Sequence, residues 1–124
     1  MTDLKPTILA IDDSRTMRSM LNAALTSAGF HVILGEDGID GLEQLDQTEP
    51  DAVITDINMP RLDGFGVIEG VRNHERHATT PVLVLTTESA DDLKLRAKLA
   101  GATGWIVKPF DQTKLVGALR KLIA

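Results

Sequence analysis

A chain of 124 residues has room for one domain that buries roughly two-thirds of its unfolded surface. It contains no cysteine, which excludes a disulfide framework and thiolate metal sites. A net charge of −5 argues against nonspecific binding to nucleic acid and favours a soluble, cytoplasmic protein. The first residues lack the apolar core of a signal peptide, and the apolar runs are too short to cross a membrane, so we expect neither secretion nor membrane insertion.

Short apolar segments and amphipathic segments alternate five times along the chain. The apolar segments are rich in β-branched residues, which predicts buried strands, and they cover Thr7–Ile11, His31–Leu34, Ala52–Thr55, Val82–Leu85 and Gly104–Val107. Each is followed by apolar residues at helical spacing. The first predicted helix lies between the cap residue Ser14 and the stop residue Gly29, and the others cover about Ile39–Gln47, Asp63–Asn73, Ala90–Ala100 and the segment that begins at the cap residue Asp111.

This alternation predicts an α/β fold, because right-handed βαβ units give one parallel sheet with helices on both faces. Near-continuous apolar strands fit a sheet that is covered on both sides. We expect a single domain over residues 1–124, with residues 1–6 as a short N-terminal tail.

Polar side chains follow four of the predicted strands at the point where each strand ends. Asp12 and Asp13 follow the first strand, Asp56 the third, Thr86 the fourth and Lys108 the fifth. A strand-ending aspartate is also an ordinary turn residue. Parallel strands end at one edge of the sheet, however, and open α/β sheets bind their ligands there. The coincidence at four strands therefore favours a functional site.

The residue types at this edge favour a cation and a phosphoryl group. Two carboxylates about 4 Å apart repel by about 4 kcal/mol at an effective dielectric of ~20, so three stay ionised together only when positive charge shares the site. Oxygen ligands without histidine or cysteine suit Mg²⁺. A lysine and a threonine supply a cation and a hydrogen-bond donor for phosphoryl oxygens. Asp56 is then placed to take up a phosphoryl group as a nucleophile.

Five stretches of the sequence together resemble a response-regulator receiver domain, from Thr7 to the C-terminus. Each alone is moderately specific, and all five in order are strongly so. They are Ile-Asp-Asp, Glu-Asp-Gly-Ile-Asp-Gly-Leu, Pro-Asp-Ala-Val-Ile-Thr-Asp-Ile-Asn-Met-Pro-Arg-Leu-Asp-Gly, Pro-Val-Leu-Val-Leu-Thr-Thr-Glu and Ala-Gly-Ala-Thr-Gly-Trp-Ile-Val-Lys-Pro-Phe. The chain is most similar to stand-alone regulators of the chemotaxis type. That resemblance implies a flavodoxin-like (βα)5 doubly wound sheet with strand order 2-1-3-4-5.

The resemblance implies roles for the residues around the Mg²⁺ cofactor. Asp56 matches the phosphoacceptor, which is also a metal ligand. Asp13 matches a direct Mg²⁺ ligand and Asp12 a ligand that acts through water. Asn58 would offer its backbone carbonyl to the metal. The Asn58 and Glu88 side chains would flank the path of the water that hydrolyses the phosphoaspartate, and both would admit it, so we expect the phosphoryl group to be lost within seconds to minutes.

The remaining matched residues belong to the switch. Lys108 matches the lysine that binds the phosphoryl group, with a cis peptide expected before Pro109. Thr86 matches the hydroxyl that moves to meet the phosphate. Trp105 occupies the aromatic switch position, where the family usually has tyrosine or phenylalanine. Two outcomes stay open for the bulkier indole, which either turns inward or forms a fixed wedge in the partner surface.

The implied function is a phosphorylation-activated signalling switch of a two-component system. A histidine kinase would be the phosphodonor. The phosphorylated form would bind an output partner, such as a flagellar-motor component, through helix 4, strand 5 and helix 5. Such a domain is not a classical enzyme, although it catalyses its own phosphotransfer and slow autodephosphorylation. We expect a monomer, with a phosphatase as a further candidate partner.

Three alternative functions differ in the residues that they require. A stand-alone phosphate shuttle in a phosphorelay stays open. A haloacid-dehalogenase-type phosphatase also uses an aspartate nucleophile with Mg²⁺, but it needs a second aspartate where Asn58 stands. A flavodoxin needs a hydroxyl-rich phosphate loop where Asp12 and Asp13 would repel the flavin phosphate.

Other polar and methionine residues have structural explanations. His74 and His77 lie in a polar loop, and their spacing is one residue short of that in zinc proteases. Met17 and Met20 fall on the helical stripe and are expected to fill the core. Arg72 is expected on a solvated face.

Overall fold

In the computed structural model, which describes residues 5–123, five strands and five helices alternate along the described chain. The strands are β1 (Thr7–Ile11), β2 (His31–Gly35), β3 (Ala52–Thr55), β4 (Val82–Thr86) and β5 (Gly104–Val107). The helices are α1 (Arg15–Ser27), α2 (Gly38–Gln47), α3 (Gly64–Arg72), α4 (Asp91–Ala100) and α5 (Gln112–Ile123). Most of the tail expected over residues 1–6 lies outside the described residues. Among the helices described, none has the length and apolar character needed to cross a bilayer.

The five strands form one sheet in the order β2-β1-β3-β4-β5, and every neighbouring pair is parallel. The predicted α/β fold and strand order are therefore confirmed. The register pairs Ile11 with Thr55 and Thr86 with Val107. As a result, the residues that follow β1, β3 and β5 leave the sheet at the same edge as Thr86.

Helices cover both faces of the sheet because successive strand residues point to opposite sides. On one face, alternate strand residues such as Ile8 and Ala10 pack against α1 and α5. On the other, Leu9 and Ile11 pack in a cluster that includes residues of α2, α3 and α4. These four strand residues are at most 1% exposed. The sheet is therefore a rigid support for the loops at its ends.

Local signals set the ends of the helices that lead away from the sheet. Ser14 caps α1 by accepting a hydrogen bond from the backbone of the first turn, and Asp63 caps α3 in the same way. Gly29 and Gly101 follow α1 and α4 with φ values of 95° and 114°, a left-handed conformation that glycine adopts without steric cost. The predicted cap at Ser14, the predicted stop at Gly29 and the predicted end of the fourth helix at Ala100 are confirmed.

Two expectations about side-chain burial are wrong. Met20 is 48% exposed, because the apolar stripe of α1 that faces the sheet passes through Leu21 and Leu25; Met17 does pack against that cluster. Arg72 is only partly exposed, and its guanidinium donates hydrogen bonds to the backbone carbonyls of Gly101 and Thr80. Burial lowers the pKa of Arg72. The side chain thus satisfies carbonyls at the end of α4 and before β4, and is not on a solvated face.

Candidate functional site

Three carboxylates and one ammonium gather where the strands end, and we call this group the acidic edge: Asp12, Asp13, Asp56 and Lys108. One oxygen from each carboxylate lies within 4.8 Å of the others. Asp12 and Asp56 are 1% and 8% exposed, whereas Asp13 is exposed. The sheet itself aligns the two buried carboxylates, because the Asp56 amide continues the strand pairing by donating to the carbonyl of Ile11.

The Lys108 ammonium joins the two buried carboxylates. Its Nζ donates to Oδ2 of Asp12 and to Oδ2 of Asp56, at 2.7 Å in each case. Burial by itself would lower the pKa of Lys108, but the hydrogen bonds to Asp12 and Asp56 outweigh it, and the pKa is raised. The peptide bond between Lys108 and Pro109 is cis, as the family resemblance implied. Lys108 is therefore held in its charged form between both carboxylates.

The other carboxylate oxygens are also fixed. Ser14 donates its backbone N–H to Oδ1 of Asp12 at 2.9 Å, and Ile57 donates its own to Oδ1 of Asp56 at 2.6 Å. An arginine that the sequence analysis did not single out supports the same segment: Arg18 Nη1 donates to the backbone carbonyl of Asp12 at 2.7 Å. The available sequence signal was its position in the first turns of α1, directly after the paired aspartates.

The charges and the donor set of the acidic edge fit a divalent cation. The group holds three carboxylates and one ammonium, which contacts two of them, so the negative charges of the ionised group exceed the positive one by two. Oxygen ligands of this kind suit a hard ion such as Mg²⁺. Asp12, Asp13 and Asp56 would hold the ion, and the loop that carries Asn58 begins directly after β3.

The residues assigned to the switch and to hydrolysis form a hydrogen-bonded chain at the rim of this site. Asn58 Nδ2 donates to Oε1 of Glu88 at 2.8 Å. Glu88 in turn accepts a hydrogen bond from Trp105 Nε1 on its backbone carbonyl, at 3.1 Å. Its own backbone N–H points to Oγ1 of the fully buried Thr86, at 3.3 Å. The family resemblance implies a role for each of these four residues, but nothing in the sequence indicates that they contact each other.

A model of the response regulator receiver domain matches residues 8–120. The chain belongs to the response-regulator receiver domain family. It is accordingly a signalling domain of a two-component system, of a class whose members are switches and generally not classical enzymes. Receiver domains typically bind Mg²⁺ at an acidic pocket.

Curated relatives of the receiver domain differ in length. Protein PilG of Pseudomonas aeruginosa is 33% identical over 113 residues, which cover 91% of this chain and 84% of that protein. Response regulator MprA of Mycobacterium leprae is 36% identical over 116 residues, which cover 94% of this chain and 50% of that protein. The chain thus spans most of PilG but about half the length of relatives such as MprA.

Solved structures share the same architecture. The Vibrio cholerae chemotaxis protein CheY4 superposes with a TM-score of 0.91 at 37% identity, covering 95% of this chain and 98% of that one. The receiver domain of a Pseudomonas aeruginosa sensor histidine kinase superposes with a TM-score of 0.89 at 27% identity, covering 96% and 98%. That structure is described as holding a magnesium ion in its active-site cleft. The resemblance to a receiver domain inferred from sequence is confirmed.

Proposed function

We propose that this chain is a phosphorylation-activated switch in which Asp56 accepts a phosphoryl group from the phosphohistidine of a histidine kinase. The observation that carries the proposal is the meeting of Asp12, Asp13 and Asp56 within 4.8 Å, with Lys108 on two of them. In the proposed site Asp12, Asp13 and Asp56 bind Mg²⁺ together with the backbone carbonyl of Asn58.

The proposed phosphoryl transfer takes place at the acidic edge. A carboxylate oxygen of Asp56 attacks phosphorus, the P–N bond of the phosphohistidine breaks, and the bonding electrons leave with the imidazole, which takes up a proton. Lys108 already lies 2.7 Å from Asp56, so its ammonium is placed to bind the transferred oxygens, and the Thr86 hydroxyl would move to meet them. When bound, Mg²⁺ would add positive charge beside the same oxygens.

The proposed output is the binding of a partner protein. Leu95 and Leu99 on α4 are 56% and 78% exposed, and Val107 on β5 is 40% exposed. Large exposed apolar side chains that lie together mark interaction surfaces. We propose that α4, β5 and α5 form this surface and that the pathway serves chemotaxis or motility. The similarity to CheY4, which is named as a chemotaxis protein, supports a role in chemotaxis. A flagellar-motor component is a candidate partner, and a phosphatase is another.

We propose further that residues 1–124 act as one cytoplasmic, monomeric receiver domain. A phosphate shuttle that serves a phosphorelay would use the same acidic edge but would need no phosphorylation-dependent output partner. A pull-down with the beryllium fluoride form separates the two functions. An output protein retained only by that form supports the switch, and retention of a histidine phosphotransfer protein alone supports the shuttle.

The acidic edge is tested by phosphorylation with a small phosphodonor and Mg²⁺. The unmodified chain should take up one acyl phosphate, and Asp56→Asn should take up none, because an amide is not a nucleophile. Asp46→Asn, an exposed aspartate on α2, is the matched control and should label normally. Equal labelling of Asp56→Asn would show that another residue is the acceptor.

A further inference from the structure

The loop that carries Asn58 also contains a strained residue. Arg61 has φ 66°, and among the described residues it is the only non-glycine with a positive φ. The left-handed conformation is sterically unfavourable for an L-residue. Such a conformation persists only where the surroundings fix it, and it is found most often at functional sites.

The Asp37 carboxylate fixes Arg61. Arg61 Nε donates to Oδ2 of Asp37 at 2.7 Å, and Nη2 donates to Oδ1 at 2.9 Å. Asp37 is 6% exposed and also caps α2 by accepting from the backbone N–H of Asp40. A bidentate arginine–carboxylate pair defines both distance and orientation. The hydrogen bond from Arg61 is the main reason that the pKa of Asp37 is lowered.

The residue after Asp37 lets the loop approach α2 closely. A Cβ atom at Gly38 would lie 2.3 Å from the backbone oxygen of Leu62, a distance that only glycine permits. On its other side, Leu62 packs over Gly66 of α3. The Asp-Gly pair at the start of α2 therefore supplies a carboxylate for Arg61 and room for the backbone that follows it.

Asn58 lies in the same loop, three residues before Arg61. Its side chain donates to Glu88 in the loop after β4, while Arg61 ties the loop to α2. The loop runs between the end of β3 and the start of α3, where the Gly64 N–H donates to the carbonyl of Ile57 at 2.8 Å. Within the described residues no backbone hydrogen bond holds Asn58 itself. Ordering a loop costs conformational entropy, and any part of that cost that is met during ion binding weakens the affinity.

From these contacts we infer that Arg61 is a positioning residue for the metal site: its ion pair with Asp37 holds the loop so that the Asn58 backbone carbonyl is in place before Mg²⁺ binds. The inference rests on the proposed function, because it assumes that Mg²⁺ binds at the acidic edge. It assigns a task to the Glu-Asp-Gly and Pro-Arg-Leu stretches of the sequence, which the phosphorylation chemistry alone does not use.

The test is calorimetric titration of the full chain with Mg²⁺ alone. Arg61→Gly removes the guanidinium and also relieves the positive φ, so a weaker affinity cannot be ascribed to new backbone strain. We expect its Kd for Mg²⁺ to rise about tenfold, at the lower end of what substitution of residues behind metal ligands costs. Asp37→Asn keeps an N-cap side chain but loses the ion pair, and its Kd should rise by a similar factor.

The double variant and a distant ion pair are the controls. If the two residues act through one ion pair, Arg61→Gly with Asp37→Asn should bind Mg²⁺ as weakly as either single variant. Arg76→Ala breaks an exposed pair with Glu49 and should bind Mg²⁺ like the unmodified chain.

A second measurement separates positioning from stability. Unfolding of the same variants is followed without Mg²⁺. Lower stability with an unchanged Kd in both single variants would overturn the inference, since the pair would then only join α2 to the loop. An unmodified chain that binds no Mg²⁺ would overturn the proposed function as well. Should Arg61→Gly fail to fold, Asp37→Asn provides the same comparison.

Discussion

Ionisable side chains gather at two places on this receiver domain, and the two differ in burial more than in charge. The second group, which we call the α2–α3 corner, consists of Asp46, Glu49, His74, Arg76 and His77. There the two carboxylate side chains are 75% and 70% exposed, whereas the Asp12 and Asp56 side chains are 2% and 11% exposed.

The partners of the carboxylates differ in the same sense. At the α2–α3 corner, Asp46 contacts the ring of His74 at 3.1 Å, and Glu49 contacts the guanidinium of Arg76 at 3.0 Å. Exposed pairs of this kind contribute about 0 to 1 kcal/mol to stability. At the acidic edge, Asp12 and Asp56 share one ammonium. The comparison teaches that a functional site is marked by buried charge that its neighbours leave incompletely balanced, and not by the number of charged residues.

The largest expected difference between the two groups is the loss of stability caused by Lys108→Met. Removing the ammonium leaves the carboxylates of Asp12 and Asp56 buried without their cation. Removing one partner of a buried ion pair lowers the free energy of unfolding by about 3 to 5 kcal/mol. In the absence of Mg²⁺ we expect a loss of stability near the lower figure, because Asp13 is exposed and one side of the site is therefore in contact with water. Arg76→Met at the α2–α3 corner should cost less than about 1 kcal/mol. Equal losses in denaturant unfolding would remove the distinction between the two groups.

The same ion pairs predict a dependence on alkaline pH. The pKa of Lys108 is raised above its ordinary value of 10.5, so its stabilising contribution is complete below pH 10.5 and is lost as the pH rises through the higher pKa of the folded state. The stability difference between the unmodified chain and Lys108→Met should therefore shrink above pH 10.5. A difference that stays constant to the alkaline limit of folding would show that the charge of Lys108 is not what stabilises the site.

The next largest expected effect is the stabilisation of the folded chain by Mg²⁺. An ion that binds only the folded chain stabilises it by about 2.7 kcal/mol at a concentration 100-fold above its Kd, and we expect a Kd in the millimolar range for a partly hydrated Mg²⁺. Asp13→Ala should abolish this stabilisation, whereas Asp46→Ala should keep it. Thermal melts with and without saturating Mg²⁺ make the measurement. Identical melts of the unmodified chain in the two conditions would argue against the site.

The acidic edge could be predicted from the sequence because its residues follow strands whose ends the apolar pattern already defines. Asp12, Asp56 and Lys108 need only a parallel sheet to meet. The fold and its strand order were likewise accessible, through the alternating pattern and the family resemblance. The contacts that could not be predicted join segments whose approach is set by loop packing. Examples are the hydrogen bonds from Arg72 to the Gly101 carbonyl after α4 and from Arg61 to Asp37.

The α2–α3 corner also has a feature that could not be predicted from the sequence. His77 lies in a stretch that the sequence describes as a polar loop, yet it is 3% exposed, and within the described residues its Nε2 has no hydrogen-bond partner. Its ring packs against that of His74, with centroids 4.8 Å apart. Burial of a loop side chain depends on which helix covers it, and spacing along the chain carries no such information.

A smaller effect is expected on the lifetime of the phosphorylated state. Asn58 and Glu88 are joined by a 2.8 Å hydrogen bond, and in the proposed site both side chains flank the path of the hydrolytic water. Glu88→Leu replaces the carboxylate with an apolar group and should slow hydrolysis by about threefold to tenfold, which corresponds to about 1 kcal/mol in the barrier. Glu49→Leu at the α2–α3 corner should leave the rate unchanged.

The measurement is loss of phosphate after removal of the phosphodonor. We expect loss within seconds to minutes in the unmodified chain. A lifetime of many hours there, or faster loss in Glu88→Leu, would contradict the role given to these two side chains.

The smallest expected effect is a change in the fluorescence of Trp105 on activation. The indole is half-buried against the helices on its side of the sheet, and its Nε1 already donates to the Glu88 carbonyl in the loop after β4. Phosphorylation of Asp56 adds acceptor oxygens that should draw the Thr86 hydroxyl inward. The backbone N–H of Glu88 also donates a hydrogen bond to Oγ1 of Thr86. We therefore expect the loop to move with Thr86 and to bring the indole into the space that Thr86 leaves.

Trp105 is the only tryptophan, and the chain has no tyrosine, so its emission reports on this position alone. Mg²⁺ with beryllium fluoride should shift the emission slightly to the blue and reduce access of a quencher, since the indole enters apolar surroundings. Thr86→Ala already has the space, and its emission should change less on the same addition. Unchanged emission and quenching in the unmodified chain would mean that the indole is a fixed wedge, and that the switch acts through movement of the loop at Thr87–Ala90 alone.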